Sequence, residues 1–137
     1  MRENMGLFRG KRIVDGHWIE GSLWLCIGMP KILSAGNIVG YDVAAETVGE
    51  CTGLKDKNGK KIFEGDIVKA TVSYNNMLRD KVDRRTEIYE VKYHTSHCYF
   101  YLARDRNNLL FDGNWNYFLK EIEVIGKIHD NPELLES

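Results

Sequence analysis

Apolar residues along this chain come in short bursts bounded by glycine, asparagine and aspartate. Long stripes at the 3.6-residue spacing of an amphipathic helix are absent, so the pattern predicts strands and an all-β (mainly β) protein. The first pair is Arg12-Ile13-Val14 and HWIEGSLWLCI (17–27), joined at Asp15-Gly16, a dipeptide suited to a two-residue hairpin turn. The glycine-punctuated segment 30–49 follows, in which Ile38, Tyr41 and Val43 suit short strands. IFEGDIVKATVSY (62–74) predicts a strand with a break at Gly65. NNMLRDKVDRRTE (75–87) then loses apolar content and reads as a long loop, mobile or ordered only against a partner.

Alternation returns at 88–105. Ile88, Glu90 and Lys92 alternate with Tyr89, Val91 and Tyr93 up to a turn near Thr95-Ser96. The returning strand sets Cys98, Phe100 and Leu102 against Tyr99, Tyr101 and Ala103. Trp115, Phe118 and Leu119 have the spacing of one helical turn, and Ile122, Val124 and Ile128 carry a last strand. Asn131 and Pro132 suit the cap and first position of a terminal helical turn. The expected organisation is an N-terminal β extension over 1–51 and a β domain over 52–137.

Composition adds limits. The 137 residues suit about one domain. With 19 basic and 20 acidic residues, no global charge draws the chain to nucleic acid or to an anionic membrane. Cys26, Cys51 and Cys98 form no C-x-x-C pair, so they predict reduced, buried thiols in a cytoplasmic protein. The segment MRENMGLFRGKR lacks the apolar core of a signal peptide, and no apolar run reaches membrane-spanning length.

The densest polar stretch is TGLKDKNGKKIFEGD (52–66), with seven charged residues. It is not a phosphate-binding loop: Lys61 stands where Ser or Thr is required, and a strand follows instead of a helix. Asp56-Lys57-Asn58-Gly59 instead predicts a turn. Asp56 would accept a hydrogen bond from the backbone two residues on, and Gly59 would take a left-handed conformation. Lys55, Lys57, Lys60 and Lys61 would then project from a hairpin tip. Glu64 and Asp66 are candidates for paired carboxylates, but no nucleophile accompanies them. A bend at Gly65 into a strand is the expected reading.

The same residues resemble a known family. TVGECTGLKDKNGKKIFEGDIV (47–68) is similar to the signature of the YopX family of phages and prophages, and so are LFRGKRIVDGHWIEGSLW (7–24) and EVIGKIHDNPELL (123–135). Cys51 departs from the pattern, standing where an aromatic residue is expected. The resemblance implies a small SH3-like β-barrel preceded by a glycine-rich N-terminal β segment, a bacterial cytoplasmic location and no catalytic residues. Within the motif it marks Thr52, Gly53, Leu54, Asp56, Gly59, Glu64, Gly65 and Asp66 as structural.

Three functional readings follow. The preferred one is a non-enzymatic interaction module with a protein partner such as a host factor, using loops, edges and a possible stripe of Tyr89, Tyr93, Tyr99 and Tyr101. The stripe is equally compatible with a core. The alternative is nucleic-acid binding by Lys55, Lys57, Lys60 and Lys61 with Arg79, Lys81, Arg84 and Arg85, clusters that Asp56, Asp80 and Asp83 dilute. A hydrolase using Glu64, Asp66 or His94 is the least favoured. His94, His97 and Cys98 form H-x-x-H-C, but alternation would split His97 from Cys98, so no metal or other cofactor is expected. Open sheet edges favour a homo-oligomer.

Overall fold

The computed structural model describes residues 6–34, 40–76, 81–96, 99–103, 109–110 and 121–136. They form two antiparallel sheets with two short 3-10 turns, Ala45–Thr47 and Pro132–Leu135, so the all-β expectation holds. The chain divides into two compact units, one of residues 1–54 and 61–65, the other of 55–60 and 66–137.

The first unit is built on a six-stranded sheet. Its strands are β1 (Phe8–Lys11), β2 (Trp18–Cys26), β3 (Met29–Leu33), β4 (Gly40–Asp42), β5 (Gly49–Lys55) and β6 (Lys61–Phe63), in the order β4-β3-β2-β1-β5-β6. The predicted first hairpin exists, but its first strand lies earlier than Ile13-Val14. Phe8 to Lys11 pair with Gly21 to Trp18, and residues 12–17 form the connection. Asp15-Gly16 is therefore part of a six-residue loop, closed by Arg12 N–H to His17 O at 2.9 Å and Gly16 N–H to Arg12 O at 2.8 Å. Ile13 and Val14 are exposed there, so apolar character alone misled the strand assignment. Tyr41 lies in β4, Val43 forms an isolated bridge with Arg12, and Ile38 lies outside the described residues.

Ile32, Val43, Cys51, Ile62 and Phe63 make the apolar core of this unit. Arg9, only 4% exposed, sets its guanidinium carbon over the rings of Trp18 and Phe63, at 5.0 and 4.8 Å from their centroids. The aromatic faces offset part of the desolvation of its charge, and its guanidinium donates to Glu64 O at 3.4 Å.

The second unit holds β7 (Asp66–Asn76), β8 (Lys81–His94), β9 (Tyr99–Ala103), β10 (Leu109–Leu110) and β11 (Glu123–Lys127), in the order β10-β9-β8-β7-β11. Among the described residues no pairing joins the two outer strands. This sheet is open, and the closed SH3-like barrel is not what forms. The supposed long loop is also corrected. β7 and β8 pair continuously from Ile67↔Glu90 to Asn76↔Lys81, so residues 75–76 and 81–87 are strand, while 77–80 lie outside the described residues. Ladder hydrogen bonds sustain the strands without apolar alternation, which is why the sequence pattern faded there.

Core positions in this unit are Ile67, Val68, Ala70, Tyr89, Val91, Phe100, Leu102, Ile122 and Val124. The turn at Thr95-Ser96 and the alternation of β9 stand as expected. Pro132 begins the terminal 3-10 turn as expected, but Asn131 makes no side-chain cap to it. Its Oδ1 instead accepts from Lys127 N–H at 3.3 Å. The proposed helical turn at Trp115, Phe118 and Leu119 lies outside the described residues.

Candidate functional site

The polar motif resolves into hydrogen bonds that make structure. In the first unit, the buried Thr52 hydroxyl donates to Ile62 O at 2.8 Å and accepts from Leu54 N–H at 3.2 Å, tying β5 to β6. Gly53 and Gly65 have φ of +83° and +92°, values that only glycine adopts without strain. The two carboxylate candidates belong to different units. Glu64 stands in the first, its N–H donating to Glu50 O at 3.0 Å, while Asp66 opens β7 in the second and is buried.

The turn itself belongs to the second unit, where Asp56 is its anchor. Asp56 is 6% exposed. Its Oδ1 accepts from Asn58 N–H at 2.9 Å and from Lys60 N–H at 2.8 Å. The main chain closes the same turn, Gly59 N–H donating to Asp56 O at 3.0 Å, with Gly59 at φ +81°. The predicted turn is therefore observed. What the sequence did not disclose is the other oxygen: Oδ2 accepts from Val124 N–H at 2.9 Å, 68 residues away. Lys57 N–H adds a bond to Ile122 O at 2.9 Å. Together these fix the tip against the start of β11.

Lys55, Lys57 and Lys60 belong to the second unit and Lys61 to the first. Lys57 Nζ is 3.2 Å from Glu123 Oε2, and Lys61 Nζ is 3.0 Å from Glu20 Oε1. Of the other basic candidates, Arg79 lies outside the described residues, and Lys81, Arg84 and Arg85 lie on β8. The tyrosine stripe is divided by the strand register. Tyr93 pairs with Phe100 on the face that carries buried Tyr89 and Val91, with ring centroids 4.9 Å apart. Tyr101 pairs with Lys92 and Tyr99 with His94 on the opposite face. Hence no four-tyrosine platform exists. His97 and Cys98 lie outside the described residues; among the described residues no three His, Cys, Asp or Glu side chains are gathered as metal ligands. Nor is any helix among them long and apolar enough to cross a membrane.

A second feature escaped the reading of the sequence. β2 and β3 pair from Ser22↔Leu33 to Cys26↔Met29, whereas β1 reaches only Gly21 on one side and β4 only Lys31 on the other. Trp24, opposite Lys31, stands at the base, and past a last bond from Val43 N–H to Pro30 O at 3.3 Å the hairpin from Leu25 to Pro30 is paired only to itself in the described ladders, a two-stranded arm. Its turn is Ile27-Gly28, with φ of +52° and +77°, the signature of a type I′ turn. Asparagine or glycine is usual at the first position, and a β-branched residue there costs about 1–2 kcal/mol. The arm also exposes Trp24 (51%), Leu25 (65%), Ile27 (99%) and Met29 (56%). The available signal was the uncharged run from Ser22 to Pro30, most of which the apolar pattern placed in the second strand of the first hairpin.

The model of the YopX protein family matches residues 29–136. The chain belongs to the YopX family. The match takes in β3 to β11 and the whole polar motif, while β1 and β2 lie ahead of it. No curated protein matches the chain. In this YopX protein, then, the polar motif makes a turn, two left-handed bends and a link between β5 and β6.

Proposed function

We propose that this YopX protein is a non-enzymatic interaction module, a phage or prophage accessory protein that engages a protein partner, such as a host factor, in the bacterial cytoplasm. The observation that carries the reading is the apolar arm. Soluble proteins rarely leave several large apolar side chains together on a projecting hairpin unless something covers them. The polar motif, by contrast, spends its Asp56 and Thr52 side chains on internal hydrogen bonds. Nucleic-acid binding is less favoured because Lys57 and Lys61 each hold a carboxylate and the net charge is −1. Pairing of an open sheet edge with a second copy is the accompanying expectation.

The test is affinity capture from bacterial lysate with the full chain as bait, with and without nuclease and across a range of salt. A stoichiometric protein that survives nuclease and raised salt supports the module. Enrichment that vanishes with nuclease and falls steeply with salt overturns it in favour of nucleic acid.

A further inference from the structure

We propose that the β2–β3 arm is a wedge that inserts into an uncharged apolar cleft of a protein partner, with Ile27 as its leading anchor. This rests on the interaction-module reading and names the surface and the chemistry that it meets. Three observations define the occupant. First, the arm is apolar on both faces. Opposed residues share a face, so Trp24 and Met29 lie on one side while Leu25 and Pro30 lie on the other. Trp24 and Leu25 are each more than half exposed, and Ile27 at the tip is almost wholly so. A flat surface would cover one side only, whereas a cleft covers both sides and the tip.

Charge is the second observation. No charged residue occurs from Ser22 to Pro30, and Lys31 at the base is held by Asp42 at 2.8 Å. The arm has nothing to attract an anionic lipid headgroup, and it complements a cleft without charges. Area is the third. The four exposed side chains present about 400 Å², taking about 150 Å² for each fully exposed large side chain. That is about half of what each partner of a standard stable interface buries, too little to hold two copies together by their arms alone. It suits a small anchor seated in a pocket. The left-handed Ile27 fits the same account. Asparagine would relieve the backbone at that position but would remove the anchor.

The test places a photo-reactive benzophenone side chain at position 27 of the full chain, with position 60 as control, and irradiates bacterial cells. Adducts are identified by mass spectrometry. The affinity of the purified partner is then measured for the wild type and for Ile27→Asn. The expected result is an adduct from position 27, absent from position 60, that maps to apolar cleft residues of another protein. Ile27→Asn should weaken that complex by about ten- to hundredfold while melting no lower than the wild type. This opposite movement separates an anchor from a merely structural residue.

Cross-linking of position 27 to a second copy of this chain overturns the proposal. So does co-sedimentation of the protein with phosphatidylcholine vesicles that Ile27→Asn abolishes. A partner that is captured from lysate but binds Ile27→Asn as tightly as wild type overturns the wedge and leaves the module reading standing. The absence of any protein partner in both experiments overturns both.

Discussion

Replacing Asp56 by alanine removes one carboxylate and leaves three main-chain N–H groups, those of Asn58, Lys60 and Val124, without their acceptor. The first two lie at an exposed tip, where water replaces the lost bonds, so they contribute about 1 kcal/mol between them. The bond to Val124 is buried, and an N–H left unsatisfied there costs about 2–3 kcal/mol. The expected loss is therefore about 3–4 kcal/mol, a large share of the roughly 5–15 kcal/mol by which domains are stable. Asp56→Asn separates the two parts. Its amide oxygen can serve the turn, but its NH₂ then faces the Val124 N–H donor to donor, so this change should cost about 2 kcal/mol. Urea unfolding followed by fluorescence measures both, with an unchanged m-value showing that the unfolded state is not what changed. Lys60→Ala, in the same turn, should stay within about 0.5 kcal/mol. If Asp56→Ala costs less than about 1 kcal/mol, or if Asp56→Asn matches the wild type, the carboxylate is not the anchor described.

Gly21→Ala should cost about 3 kcal/mol in the same unfolding assay, because its Cβ would meet the Leu33 carbonyl, a main-chain group that cannot swing aside. Gly16→Ala has open space around it and should lose only about 1 kcal/mol, the penalty of φ +72°. Burial raises the pKa of the half-buried Glu90 above its usual 4.5, partly offset by Lys92 and His129. Folding thus favours its protonated form, and its stabilising contribution is complete below about pH 4.5 and lost as pH rises through the folded value. Glu90→Gln should therefore melt close to wild type in acid and above it at pH 7; equal melting temperatures across that range would refute this. Lys57→Ala breaks only the exposed pair with Glu123, and its unfolding free energy should change by less than about 0.5 kcal/mol.

Much of this molecule was legible locally. The turn at Asp56 to Gly59 followed from residue types within four positions, since a short acidic side chain and a glycine make that turn wherever it occurs. The bend at Gly65 and the alternation of β9 were readable for the same reason: each depends on near neighbours or on a period of two. The tertiary structure alone decided matters that depend on distant chain. It gave the second oxygen of Asp56 to Val124 and extended β7 and β8 through a polar stretch by mutual pairing. It also divided the four tyrosines between two faces, since register between strands is not written in either strand alone. The apolar run of β2 illustrates the limit most directly. Apolar residues state a preference for leaving water, but only the ends of β1 and β4 determine that Leu25, Ile27 and Met29 project beyond the sheet, with that preference unmet.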